Sequence, residues 1–285
     1  MMNDLPKRKN VPSEILPEVN RVVRADLGCG KKKQPSFIGI DRFPLPGVDI
    51  VADMNKGLPL ADNSVDYLAA SHSLEHVDDL TLTMQEIYRV CKHKALVCIV
   101  APYYHTSANM ANPFHKQAFN EHTPRFFTTS DWTPVNKLDY QSPGVPEWGL
   151  AESDNSKCTI DFRCLRMEFF YFPQYRQLDE NEKRRLRQSL LNVVDTIMYH
   201  FLVVKEPISD QELEHIASTI KYEEPTYFTL RRYEEELAAK TLPGRLYKRG
   251  SDYAKTHGIR RFVGRAPVFA FSLLRRKVAN LRSKA

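Results

Sequence analysis

Five short apolar runs dominate the first hundred residues and constrain the fold more than any other feature. They are residues 22–27, 37–41 (FIGID), 48–53 (VDIVAD), 65–70 (VDYLAA) and 95–101 (ALVCIVA), rich in β-branched and aromatic residues. Runs this short and this uniformly apolar are what strands of a parallel sheet need, because both of their faces are buried. Residues 80–91 (LTLTMQEIYRVC) precede the fifth run, with Leu80, Met84, Ile87 and Val90 at helical spacing. A strand, a helix and a strand in that order predict a right-handed crossover in a parallel sheet, hence an α/β fold.

The first crossover departs from that pattern. Only residues 31–36 separate the glycines after the first run from the second run. A parallel crossover with a full helix takes at least about 10–12 residues. The first helix is therefore expected to be a single turn or absent.

Beyond Pro102 the chain turns polar and aromatic (YYHTSANMANPFHKQAFNEHTPRFF) with little periodicity. Loops longer than about 12–15 residues inside a compact domain are usually functional or disordered, and the aromatics and histidines argue against disorder. Further on, Thr128 is expected to cap a short helix over 128–132, 158–172 to be a strand, 182–204 a long helix, and 226–233 (TYFTLRRY) the last strand.

Charge is unevenly spread. Residues 240–285 hold thirteen lysines and arginines and one acid, Asp252, so the whole-chain charge of +6 hides a +12 tail behind a body of −6. If helical after Pro267, the tail sets Phe269 and Leu273 opposite Arg275, Arg276 and Arg282. Such a basic amphipathic segment suits an anionic membrane surface or a partner. The N-terminus has no apolar core of a signal peptide, and the apolar stretches 190–204 and 262–274 fall short of the about 20 residues a spanning helix needs. The five cysteines include no CxxC pair, which suits reduced thiols in the cytoplasm. The expected organisation is a polar leader over 1–20, a catalytic domain over 21–235 and a basic tail over 236–285.

The residues that carry chemistry sit at strand ends. Asp26, Gly28 and Gly30 close the first run, Asp41 the second and Asp53 the third. In an open parallel sheet ligands bind outside the carboxyl ends of the strands. Glycines there let the backbone approach a ligand closely. An acid there can accept both hydroxyls of a ribose. Three acids at successive strand ends disfavour a pyrophosphate and suit a cationic nucleoside.

The strings RADLGCG, FIGIDRF, VADMNKGLPLADNSVDYLAASHSLEHVDD and EIYRVCKHKALVCIVAPYY resemble the class I S-adenosylmethionine-dependent methyltransferases over about 110 residues, from Arg24 to Trp132. The run PLPGVDIVADMNKGLPLADNSVD and the loop NPFHKQAFNEHTPRFF are similar to members found in surface-polysaccharide gene clusters. The resemblance implies a Rossmann-like, mostly parallel seven-stranded sheet with helices on both faces, and S-adenosylmethionine as cofactor. It implies that Asp26, Gly28 and Gly30 line the methionine end, that Asp41 holds the ribose, that Asp53 and Met54 flank the adenine, and that Ser71 and His72 border cofactor and acceptor. Where the family often carries a third glycine, this chain has Lys31, Lys32 and Lys33, so the methionine carboxylate is expected to be held differently.

The loop after the fifth strand supplies His105, His115 and His122. In-line methyl transfer to a hydroxyl gains most from holding the oxygen about 3 Å from the sulfonium methyl, and a base for the hydroxyl proton helps. His115 matches the histidine of the family's loop and is the candidate base. His76, Tyr104 and His105 are the candidate acceptor contacts. His72, Glu75 and His76 also spell HxxEH, a zinc-peptidase string, but no third ligand is apparent and no metal is expected. The expected function is O-methylation of a sugar or glycan precursor. The rivals are an RNA methyltransferase, supported only by the basic tail, and a non-catalytic binding module with the same fold.

Overall fold

The computed structural model describes residues 22–140, 160–176 and 178–232. The chain divides into two compact units, 1–225 and 226–285. The first unit is built on one seven-stranded sheet. Its strands are β1 (Arg24–Leu27), β2 (Ile38–Asp41), β3 (Ile50–Val51), β4 (Val65–Ser71), β5 (Cys91–Pro102), β6 (Phe162–Tyr171) and β7 (Val194–Val203). They lie in the order β3-β2-β1-β4-β5-β7-β6. The first five pair in parallel, and β7 runs antiparallel to both β5 and β6.

All five apolar runs form strands. Burial explains their composition: Ala25, Leu27, Ile40, Leu68, Ala70, Val97 and Ala101 are sealed from solvent. The helices are α1 (Leu80–Val90), α2 (Ser107–Ala111), α3 (Lys137–Tyr140), α4 (Glu180–Arg187) and α5 (Asp210–Thr219). In α1 the Asp79 carboxylate accepts from the N–H of Leu82, capping the first turn. Its inner face buries Met84, Ile87 and Val90, each worth about 1.5–3 kcal/mol. The first crossover is helix-free, as the short spacing predicts: residues 28–37 pass from β1 to β2 in turns.

Three expectations are corrected. Residues 182–204 do not form one helix: α4 ends at Arg187, and β7 begins at Val194. Strand β7 is buried between β5 and β6, so it is largely apolar on both faces, Asp195, Thr196 and His200 apart, and its periodicity favours no element. Thr128 opens no helix; it ends the 3-10 turn Thr123–Phe127, and its hydroxyl donates to Asp161 at 3.0 Å. Residues 226–232 are helical, not a strand. The basic tail 236–285, with its expected helix, and the leader 1–20 lie outside the described residues.

Candidate active site

The carboxyl ends of β1, β2 and β4 converge at one edge, with Asp26, Gly28 and Gly30, Asp41, and Ser71 and His72. Gly28 has φ +66° because the chain must reverse over Ser73; a Cβ on Gly28 would lie 2.3 Å from that of Ser73. Gly30 has φ +55°, and a Cβ there would meet nothing within 4 Å. The turn therefore fronts open space. Its amide is fixed from the neighbouring strand: the N–H of Gly30 donates to Asp41 Oδ2 at 3.0 Å, and the N–H of Phe43 donates to Asp41 Oδ1 at 2.9 Å.

Asp26 is buried and accepts from the N–H of Gln34 at 2.9 Å. Burial pushes its carboxyl up to about 6, with the Gln34 hydrogen bond and Lys33 pulling the other way. A buried acid in this condition is poised to be ionised by a cation. Asp53 caps the 3-10 turn Met54–Lys56 by accepting from Asn55 N–H, and the Met54 side chain packs against the core. Lys33 is committed to Asp49 at 2.7 Å, while Lys31 and Lys32 are exposed. Acids at the strand ends, open space at Gly30 and the absence of a helix N-terminus between β1 and β2 fit a cationic nucleoside better than a polyphosphate.

The second half of the site is the turn after β4. His72 takes φ +51°, and its N–H donates to the carbonyl of Val100 on β5. The 3-10 turn Leu74–His76 follows, with Glu75 fully buried. The long loop is fastened onto this turn: the N–H groups of Lys116 and Gln117 donate to the Glu75 carbonyl at 2.7 and 3.1 Å. Gln117 also donates to the carbonyl of Val77. This clamp brings His115 against His76, with ring centroids 4.8 Å apart.

Both rings are oriented through Nδ1. His76 Nδ1 donates to the carbonyl of Phe114 at 3.0 Å, and His115 Nδ1 donates to Asn109 Oδ1 at 2.6 Å. Asn109 is itself held, its amide nitrogen donating to the carbonyl of Tyr104. Each imidazole therefore presents Nε2 with a free lone pair. Burial holds His115 below the ordinary imidazole range, against the pull of Glu75. Tyr104 and Phe114 are exposed beside these groups. His105 joins no such cluster and packs on the rings of Tyr103 and Tyr104.

Two contributors, Asn109 and Arg187, had no signal in the sequence, and Tyr103, an aromatic expected to wall the acceptor site, is committed elsewhere. Asn109 lies six residues before the histidine it orients. Tyr103 donates to Glu121 Oε2 at 2.7 Å beneath the loop. Arg187, buried in α4, reaches Glu121, Asp139 and Tyr171 and lies 3.7 Å from the centre of the Phe169 ring.

Residues 32–99 match the family described as a methyltransferase domain. No curated protein matches the sequence significantly. Among solved structures, the chain is similar to a SAM-dependent methyltransferase from Archaeoglobus fulgidus at 18% identity, covering 64% of this chain and 86% of that one, with TM-score 0.41. It is also similar to an S-adenosylmethionine-dependent methyltransferase from Mesorhizobium loti, at 16% identity, 66% and 94% coverage and TM-score 0.35. A third likeness is to geranyl diphosphate C-methyltransferase from Streptomyces coelicolor, at 12% identity, 65% and 70% coverage and TM-score 0.39. The matched segment and the strand order support a methyltransferase domain of Rossmann-like fold, with S-adenosylmethionine as its cofactor.

No described helix is long and apolar enough to cross a membrane, and the described cysteines, Cys29, Cys91, Cys98 and Cys164, are free thiols.

Proposed function

We propose that the protein O-methylates a sugar or glycan precursor by direct in-line transfer from S-adenosylmethionine. Asp26, Gly28 and Gly30 line the methionine end of the donor, Asp41 the ribose, and Asp53 and Met54 the adenine. Ser71 and His72 border the methyl group. The observation that carries the acceptor side is the Asn109–His115 hydrogen bond. It fixes a neutral imidazole with Nε2 free, beside the end of β4, where a hydroxyl proton can be received. His76 and Tyr104 flank the acceptor, and an exposed aromatic such as Phe114 offers a face to a sugar ring. The similarity of the 44–66 run and of the loop to polysaccharide-cluster enzymes supports a glycan acceptor. A cytoplasmic site of action, with the basic tail against the inner membrane face, accords with the charge distribution.

The test is release of S-adenosylhomocysteine from purified protein given S-adenosylmethionine and a panel of nucleotide sugars and glycan fragments. Release that depends on a sugar and is lost in His115→Ala supports the reading. Release only with RNA, or none from protein that binds the donor, removes the glycan assignment.

A further inference from the structure

Glu75, His76 and His115 are brought together although 40 residues of chain separate the first from the last. One ligand-type atom from each lies within 4.8 Å of those of the other two. We propose that these three side chains bind a divalent transition-metal ion of the zinc type, at the acceptor side of the site.

Three observations carry this. First, Glu75 is 2% exposed, and its Oε2 is buried with no hydrogen-bond partner. Its Oε1 faces His72 Nδ1 at 3.6 Å and His76 Nε2 at 3.9 Å, both too long for hydrogen bonds. A buried carboxylate left this way is costly unless something with positive charge completes it. Second, His76 and His115 are each oriented by an Nδ1–H donated to a fixed oxygen, the Phe114 carbonyl and Asn109 Oδ1. Metal-ligating histidines are held in this manner, the outer acceptor fixing the tautomer that frees Nε2. Third, the donor set selects the ion. Two imidazoles and one carboxylate suit zinc, cobalt or nickel, whereas calcium and magnesium demand an oxygen cage.

Tetrahedral coordination at about 2 Å brings ligand atoms to about 3.3 Å from one another. Coordination therefore requires the two half-buried histidines to draw in from the present separation of up to 4.8 Å. Three protein ligands leave a fourth position open, and His72 is the nearest further imidazole. The arrangement is not that of an HxxEH peptidase: His72 and His76 do not share a helix face, and Glu75 is a ligand rather than a base. The third ligand that the string lacks comes from the loop.

The proposal deepens the reading of this region as the acceptor side. The Nε2 of His115 that receives the hydroxyl proton is the same atom that binds the ion, so proton and metal compete for it. Binding itself is tested without an acceptor. Full-length protein is stripped with chelator and titrated with Co²⁺, read by visible d–d absorption, and with Zn²⁺, read by calorimetry; S-adenosylhomocysteine binding is measured in parallel. The expected result is one ion per chain, with affinity lowered at least about 10- to 100-fold in Glu75→Gln and His115→Gln and less in Asn109→Ala. Because Glu75 is buried and its variant tests folding as well as ligation, His115→Gln and Asn109→Ala serve as a second pair, with S-adenosylhomocysteine binding reporting that each is folded. No stoichiometric ion, or an ion whose affinity is unchanged in His115→Gln, overturns the proposal. Loss of S-adenosylhomocysteine binding by wild-type protein would instead count against the methyltransferase reading and leave the metal result to stand by itself.

Discussion

The backbone N–H of Gly30 donates to Asp41 Oδ2 at 3.0 Å, so the turn after β1 and the acid that ends β2 form one unit. Removing the carboxylate removes the fastening of the turn and, on the proposed site map, a contact to the donor. Asp41→Ala is expected to weaken S-adenosylhomocysteine binding at least about 30-fold, since charge-assisted bonds are worth roughly 1.5–3 kcal/mol each. Asp41→Asn, which keeps an acceptor for Gly30, should lose less. Calorimetric titration decides it; wild-type affinity in Asp41→Ala would sink the site assignment.

Two glycines at one turn should respond differently. Gly28→Ala drives a Cβ to 2.3 Å from Ser73 Cβ at positive φ, and is expected to destabilise the fold by several kcal/mol. Gly30→Ala meets only open space and carries the left-handed backbone cost of about 1 kcal/mol. If that space receives the donor, Gly30→Ala should weaken donor binding while the melting temperature moves by only a few degrees. Thermal melts with and without S-adenosylhomocysteine separate the two effects.

Asp26 should make stability and donor binding trade off with pH. Its folded carboxyl titrates at about 6, against an ordinary 3.8, chiefly through burial. The folded state therefore holds the proton more tightly than the unfolded chain. That stabilisation is fully present below about 3.8 and is lost as pH rises through about 6. Asp26→Asn should thus raise the stability of the ligand-free protein by up to about 2–3 kcal/mol near pH 7.5 and by little near pH 4. A bound cation favours the ionised acid, so wild-type affinity for S-adenosylmethionine should fall as pH drops below about 6, and Asp26→Asn should flatten that slope. Melting curves and titrations across the range check both signs; equal slopes in variant and wild type would remove Asp26 from the donor site.

His115→Ala should reduce turnover by about 10²–10⁴-fold in chelator-treated protein while leaving S-adenosylhomocysteine affinity nearly unchanged. Asn109→Ala frees the ring and its tautomer, and should cost an intermediate factor. Single-turnover rates set beside binding constants reveal the split. Unchanged rates in His115→Ala would end its candidacy as base.

Arg187 is 2% exposed in side chain and shares Glu121, Asp139 and Tyr171 as partners. Removing one member of such a buried set leaves the others uncompensated. Arg187→Met is expected to cost about 3–5 kcal/mol in urea denaturation, and Glu121→Gln combined with it should cost less than the sum of the two. Additive losses would mean that the charges act separately.

Much of the sheet was legible because burial on both faces writes itself into composition. Strands β1 to β5 are apolar runs, and the shortness of 31–36 announced the missing helix. The same property hid β7. In 190–204 apolar residues fall at both strand and helix spacing, interrupted only by Asn192, Asp195, Thr196 and His200, so a strand and a helix read alike, and the buried His200 gives no contrast. Residues 226–232 show the reverse error: β-branched and aromatic residues there are helical, since local propensity is a weak prior. The grouping of the acids at the strand ends was readable because topology places strand ends together. The Glu75–His115 meeting was not, because it depends on hydrogen bonds from Lys116 and Gln117 to the Glu75 carbonyl, 41 and 42 residues earlier, which no spacing encodes.

The helix-free passage from β1 to β2 has an effect on what leaves the site. A helix there would aim about half a positive charge at the strand ends. Without one, Asp26 and Asp41 set the local potential. S-adenosylmethionine arrives as a sulfonium and departs as a neutral thioether. On the proposed site map, the edge is tuned to a charge that the reaction itself erases, and the spent molecule is the one it has least reason to keep. Discharge of product is then favoured by the chemistry just completed, with no moving part required.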